Sequence, residues 1–149
     1  MYLICSKFAL EGATEAIAKE MHPDWNIKFL LLEPGGIKTE YAGASMVYTD
    51  RHPAYAGPES ATSQLLAYLS NPDATANWGE AASVARVLVD AVSRQGEKPL
   101  PLRLPVGSDA YAMIVAENEN ITKELAEWKS EIESISSQEQ VESIDFLRR

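Results

Sequence analysis

The run Ile27 to Leu32 (Ile-Lys-Phe-Leu-Leu-Leu) is the segment that most constrains how this chain can fold. It is apolar almost throughout and shows little alternation between apolar and polar residues. A short run of this kind is typical of a strand that is buried on both faces, as in a parallel sheet with helices on both sides. We therefore predict a parallel sheet covered by helices.

The rest of the chain is predicted to hold helices and a second strand. Residues Leu100 to Val106 predict a strand that its two prolines confine to an edge or a short core. Apolar residues at helical spacing predict helices over about Cys5–Met21, Pro58–Ser70, Glu80–Arg94 (with Gly96 as its C-terminal cap) and Ser108–Ser136. The segment 33–57, rich in Gly, Pro, Tyr and Ser, is predicted to be irregular. This order of elements is that of an α/β fold with a parallel strand pair.

Composition argues against several classes of partner. The chain has 149 residues, of which 46% are hydrophobic and 23% charged, as expected of one globular domain. Its net charge of −9 and its lack of a basic cluster argue against nucleic acid or an anionic membrane as a partner. Cys5 is the only cysteine, and His22 and His52 share no ligand spacing with it. We therefore expect no disulfide, no metal site and a cytoplasmic location.

The predicted strands are too few for the sheet that they imply. A strand buried on both faces needs a hydrogen-bonding neighbour along each edge, and the sequence offers Ile27–Leu32 only one. The free edge would be apolar and unprotected, which predicts association or instability. We interpret the chain as a fold that lacks its first strands.

Two motifs indicate a family. Ser6-Lys7-Phe8-Ala9-Leu10-Glu11-Gly12 is similar to the helix that carries the Tyr-x-x-x-Lys pair of the short-chain dehydrogenase/reductase family. Pro34-Gly35-Gly36-Ile37-Lys38-Thr39 follows the apolar strand directly and resembles the family's Pro-Gly-x-x-x-Thr segment. The resemblance extends from about Cys5 to Val106. It implies a partial Rossmann-like, doubly wound fold without its N-terminal strands, over residues 1–136, before a polar tail (137–149) that is expected to fray.

The resemblance also implies an activity, the transfer of a hydride between an alcohol or ketone and NAD or NADP. Lys7 would be catalytic, because an ammonium one helical turn from a phenol lowers the pKa of that phenol, and Lys7 would also bind the cofactor ribose. Pro34 and Gly35 would let the backbone approach the nicotinamide. The Ile37 main chain and the Thr39 hydroxyl would hold its carboxamide or phosphate side.

Other parts of the family pattern are absent. Leu3 stands where the family has its tyrosine, four residues before Lys7, and Tyr2 lies about 100° further round the helix. The Gly-rich turn that places a pyrophosphate on a helix N-terminus is also missing. We therefore interpret the chain as a truncated form that is inactive alone.

Two features carry alternative interpretations. Tyr41, Met46, Tyr48 and Tyr55 lie where the family has its substrate-covering loop, and suit a hydrophobic alcohol or ketone, but they could also only pack that loop down. The chain as a whole could instead be a non-catalytic interaction module. By resemblance, it would pair through its helices with a second copy or with a full-length relative. If these residues form no cofactor site, Lys7 would be a solvated surface residue and Pro34–Gly36 would be a plain turn.

Overall fold

The computed structural model describes residues 2–41, 43–94 and 97–147, with side chains from Cys5 onward. These residues belong to two units, 1–111 and 112–149. The first unit holds, in chain order, α1 (Tyr2–Glu20), β1 (Leu31–Pro34), β2 (Ile37–Lys38), α2 (Ala61–Leu69), α3 (Pro72–Thr75), β3 (Gly79–Glu80), α4 (Ala81–Ser93), β4 (Arg103–Val106) and the start of α5 (Ser108–Glu127). The predicted cap Gly96 lies outside the described residues.

Strand β1 pairs with β4 in parallel, from Leu31 opposite Arg103 to Pro34 opposite Val106. This pair, with helices before, between and after it in the chain, confirms the predicted fold class. The predicted limits of the first strand were wrong, because residues 27–30 have no regular secondary structure. The Leu31 N–H donates to the Leu102 carbonyl at 2.7 Å, at the point where β4 begins, so the strand starts where its partner starts.

A second parallel pair was not predicted. In strands β2 and β3, Ile37 pairs with Gly79 and Lys38 pairs with Glu80. The Lys38 ammonium also forms an ion pair with the Glu80 carboxylate at 2.8 Å. The prediction that segment 33–57 is irregular is therefore wrong for Glu33–Pro34, which end β1, and for β2. Strands of two residues are too short to show a periodicity in sequence.

The helices of the first unit lie close to their predicted places, and side-chain caps mark the starts of α2 and α3. Helix α2 begins after Ser60, whose hydroxyl accepts the Ser63 N–H at 3.1 Å, and not at Pro58. Helix α3 was not predicted, and it begins after Asn71, whose side-chain oxygen accepts the Asp73 N–H at 3.0 Å.

The second unit contains the rest of α5, then α6 (Lys129–Glu133), α7 (Gln138–Ser143) and a 3-10 turn. The prediction of one helix as far as Ser136 was wrong, because α5 ends before Trp128. Ion pairs Lys123–Glu127 and Lys129–Glu133 support the helical turns on each side, and none among the described residues spans Trp128. The predicted division at residue 136 stays a prediction.

The described part of the chain contains no fully buried side chain. Large apolar side chains of the first unit are exposed, among them Phe8 on α1 and Val89 on α4. Apolar surface of this extent is unfavourable in water.

Arg103 joins β4 to both α1 and β1. Its guanidinium lies 3.0 Å from Glu15 Oε2 and 3.5 Å from Glu33 Oε1. Burial raises the pKa of Glu33, the Glu11 carboxylate raises it further, and Arg103 opposes both. Among the described residues no hydrogen bond reaches Glu33 Oε1, so the ion pair with Arg103 is what compensates this charge.

We predict that Arg103→Met lowers the free energy of unfolding by about 1 kcal/mol, because it leaves the Glu33 carboxylate half-buried beside Glu11 without a cation. Urea denaturation measures this difference. Arg86→Met is the matched control, because Arg86 is exposed on α4 and has no ion pair among the described residues. Equal denaturation midpoints for the two variants would contradict the claim that Arg103 compensates the charge of Glu33.

Candidate functional site

A cleft of about 850 Å³ opens between α1, the end of β1, the turn that follows it, and the start of α4. Its lining combines side chains of α1 with the main chain of the Pro34–Gly36 turn. The residues that line the cleft include Lys7, Phe8, Glu11, Glu33, Pro34, Gly35, Gly36, Ile37, Thr39, Tyr41 and Trp78.

The cleft brings together most of the residues that the sequence predicted. Lys7 from the first motif lines it together with Pro34, Gly35, Ile37 and Thr39 from the second. Tyr41 of the predicted substrate loop also lines it, whereas Met46 and Tyr48 do not. Their roles stay predictions, but their proximity in the fold is now a structural fact. Leu3, at the position of the family's tyrosine, lies in α1 one helical turn before Lys7.

Main-chain and side-chain bonds hold the Pro34–Gly36 turn. The Gly35 N–H donates to the Val106 carbonyl at 2.9 Å, which continues the β1–β4 pairing by one residue. The Gly36 N–H donates to Asp109 Oδ2 at 2.6 Å, and the Gly36 carbonyl accepts the Gly79 N–H at 2.9 Å. The two peptide groups that flank the Gly36 Cα are therefore each held by a hydrogen bond.

Side chains also pack against this turn where its glycines leave room. A Cβ added to Gly35 would collide with the Asp109 carboxylate, and one added to Gly36 would lie 2.7 Å from the Trp78 ring. The Trp78 Nε1–H donates to the Tyr68 hydroxyl at 2.9 Å, so the ring is itself held. Glycine is needed here because side chains from elsewhere occupy the space that a Cβ would take.

Thr39 ends the second motif and lines the cleft. Its hydroxyl accepts the Tyr41 N–H at 3.2 Å and lies 3.5 Å from the Ile37 carbonyl oxygen. Such side-chain to main-chain bonds are typical of Thr in turns, and they fix the direction of the hydroxyl. A ligand in the cleft would meet this hydroxyl together with the exposed backbone of the turn.

The charges around the cleft are two carboxylates and one ammonium. Lys7 is exposed, Glu11 is half-buried, and the Glu33 side chain is 19% exposed. The raised pKa of Glu33 results first from burial and then from Glu11. Raised carboxyl pKa values in clefts are found both at functional sites and in structural ion pairs, and the contact with Arg103 favours the structural explanation here.

Sequence reasoning missed Asp109, Trp78 and Glu11 as parts of this region. Asp109 could have been found from the topology. It follows β4 at the end where Gly35 follows β1, and the carboxyl ends of parallel strands meet at one edge of a sheet. For Trp78 the sequence offers no comparable indication, because its position depends on the β2–β3 pair.

The residues that the structure describes hold no group of three His, Cys, Asp or Glu side chains that could bind a metal ion. They also hold no helix with the length and apolar character needed to cross a membrane.

The comparisons with known proteins agree with the two motifs, although no family model matches the chain. The oxidoreductase calM of Penicillium decumbens is 40% identical over 74% of this chain, and the match spans 36% of that protein. An uncharacterized oxidoreductase of Schizosaccharomyces pombe is 31% identical over 80% of this chain and 38% of its own length. The crystal structure of a short-chain dehydrogenase from Streptomyces avermitilis superposes with a TM-score of 0.65 at 30% identity, over 86% of this chain and 43% of that one.

These matches show that the chain belongs to the short-chain dehydrogenase/reductase family and corresponds to the C-terminal part of its fold. The resemblance drawn from Lys7 and Pro34–Thr39 is therefore confirmed. The chain spans less than half the length of the relatives that it matches.

We predict that Gly35→Ala lowers the free energy of unfolding by about 1–3 kcal/mol, because the new methyl group displaces the Asp109 carboxylate. Gly12→Ala is the control, since a Cβ at Gly12 in α1 meets no atom within 4 Å, and it should stabilise the helix by about 0.5–1 kcal/mol. Thermal or urea denaturation of both variants checks the signs. If Gly35→Ala instead stabilises the chain, the Asp109 carboxylate does not pack against Gly35 as described here.

A second prediction concerns pH. The Gly36 N–H holds the pKa of Asp109 below its ordinary value, against a smaller opposing effect of burial. A lowered folded-state pKa gives stability above the ordinary value of about 3.9, and this stability disappears as the pH falls through the folded-state pKa. Asp109→Asn should therefore be less stable than the natural chain at pH 6, and the difference should shrink below about pH 3. Denaturation midpoints across this range test it; a constant difference would contradict it.

Proposed function

We propose that this chain forms the nicotinamide and substrate side of the active-site cleft of an NAD- or NADP-dependent oxidoreductase that acts on a hydrophobic alcohol or ketone. The single observation that supports this most is the meeting of Lys7 with the Pro34–Thr39 segment in one cleft. The two segments are 27 positions apart in sequence, counted from Lys7 to Pro34.

The residues of the cleft fit the nicotinamide end of such a cofactor. The main chain of Gly35 and Gly36 lines the cleft, where it could meet a flat nicotinamide ring. Asp109 and Trp78 fill the space on the Cβ side of these glycines. The Thr39 hydroxyl and the Ile37 main chain would meet polar groups of the ligand, and the Lys7 ammonium is free to reach a ribose hydroxyl. A bound nicotinamide would exchange a hydride with the substrate carbon.

The other requirements of the reaction are not met by the residues of this chain. Leu3 cannot accept the proton that the alcohol hydroxyl loses, because its side chain is a hydrocarbon. The 149-residue sequence has no Gly-rich turn for the pyrophosphate, which normally supplies a large part of the cofactor affinity. We therefore propose that the chain alone holds the mononucleotide half weakly and does not catalyse the reaction.

We predict that the purified chain binds reduced nicotinamide mononucleotide with a Kd on the order of millimolar, and NADH or NADPH no more tightly, because the adenosine half finds no site. Calorimetry measures the dinucleotides, and amide chemical-shift changes at Gly36, Ile37 and Thr39 report the mononucleotide. Lys7→Met should weaken the mononucleotide about tenfold. Lys28→Met, an exposed lysine away from the cleft, should leave it unchanged.

Two results would contradict this proposal in different ways. Micromolar NADH or NADPH binding by the chain alone would show that it contains a complete cofactor site. Mononucleotide shifts that avoid the turn, or that are equal in the two lysine variants, would show that the cleft is not the nicotinamide site.

A second candidate function is a non-catalytic module that associates through its helices with another copy or with a full-length relative. The observation that favours it is the exposed apolar surface of α1 and α4, on which Phe8 is 76% and Val89 62% exposed. Water-exposed apolar patches of this kind are typical of protein interfaces.

For this candidate we predict a defined dimer in light scattering after size-exclusion chromatography, and we predict that Val89→Glu shifts it to monomer, because a buried charge at an apolar interface is costly. Val47→Glu is the control, since Val47 is 89% exposed on a loop outside both helices. A monodisperse monomer of the natural chain would contradict the interaction function.

A further inference from the structure

The contact between Asp109 and Gly36 joins two parts of the chain that lie 73 positions apart. Asp109 stands in the first turn of α5, just after β4 and Gly107. The Asp109 carboxylate accepts the Gly36 N–H at 2.6 Å. A side chain from a distant segment therefore holds the turn that forms the floor of the cleft, beside the main-chain bonds from Gly35 to Val106 and from Gly79 to Gly36.

The space around this carboxylate is restricted on two sides. The missing side chain of Gly35 leaves the room that the carboxylate fills. Gly107 has a φ of +122°, a conformation that L side chains rarely adopt, and a Cβ there would lie 2.5 Å from Asp109 Oδ1. The site accommodates a planar two-oxygen group on a short arm, and we expect the longer side chain of glutamate to place its oxygens elsewhere.

We propose that Asp109 is a positioning residue for the cleft. Its carboxylate fixes the Gly36 N–H, while the Gly79 N–H fixes the Gly36 carbonyl from the other side. The orientation of these two peptide groups determines where Ile37 and Thr39 leave the turn, and so how they face Lys7. The nature of the bound ligand rests on the proposed function, but the positioning of the turn does not.

A simpler explanation gives Asp109 only a stabilising role. A carboxylate in the first turn of a helix interacts favourably with the helix dipole, whatever else it touches. The two explanations differ in what they require. The dipole needs the negative charge and tolerates a longer side chain, whereas positioning needs the shape and an acceptor oxygen at the position of Oδ2.

Three substitutions in the full chain separate these explanations, with amide hydrogen exchange at Gly36 as the readout. Asp109→Asn keeps the shape and an acceptor oxygen, Asp109→Glu keeps the charge, and Asp109→Ala keeps neither. We expect exchange at Gly36 to accelerate at least about tenfold for the Ala and Glu variants, and by less than about threefold for Asn. Asp50→Ala, which removes an exposed carboxylate without a partner among the described residues, should change nothing.

Protection of Gly36 that survives in the Glu variant and disappears in the Asn variant would overturn the proposal in favour of the helix dipole. Uniform acceleration at all amides of residues 1–111, together with a lower Tm, would overturn it in favour of general stability. If the Ala variant does not fold, the comparison of Asn with Glu still decides between the two.

Reduced nicotinamide mononucleotide separates this inference from the proposed function. Weaker binding by the Ala and Glu variants, with the Asn variant close to the natural chain, supports positioning of a ligand site. If the natural chain does not bind the mononucleotide at all, the proposed function fails, and the exchange at Gly36 still decides the role of Asp109.

Discussion

Strand β1 hydrogen-bonds along β4 for four residues, and this pairing brings the segments that follow the two strands to the same edge. After β1 comes the Pro34–Gly36 turn, and after β4 comes Gly107 with the start of α5. The bonds from Gly35 to Val106 and from Gly36 to Asp109 extend the pairing beyond the strands. Without the β1–β4 pairing, neither the floor of the cleft nor its position opposite Lys7 would be defined.

The same pairing leaves much of the molecule exposed. Among the described residues β1 has β4 as its one strand partner, and no side chain is fully buried. A parallel strand is normally covered by helices on both faces and paired along both edges. The relatives are more than twice as long as the segments that they share with this chain. Exposed apolar surface is the physical reason to expect association with further polypeptide, whether another copy or a longer relative.

Much of this could be predicted from the sequence, and the reasons differ between elements. The parallel pair followed from the composition of Ile27–Leu32, and the family followed from Lys7 and Pro34–Thr39, because local patterns suffice for both. The limits of β1 did not follow, because the register with Arg103–Val106 determines them. The parallel pairing could have placed Asp109 at the same edge as the Pro34–Gly36 turn, but its contact with the Gly36 N–H depends on the same register. The break at Trp128 also lay beyond prediction, because the apolar stripe continues through it.

The central claim is that the Lys7 turn of α1 faces the Pro34–Thr39 segment across one cleft. Cys5 allows a direct measurement, because it is the only cysteine of the sequence and is exposed on α1 close to Lys7. A nitroxide attached to Cys5 should strongly broaden the amide resonances of Gly36, Ile37 and Thr39 in the paramagnetic state, and reduction of the nitroxide should restore them. Full intensity at these amides, with broadening confined to α1, would contradict the cleft and the function proposed for it.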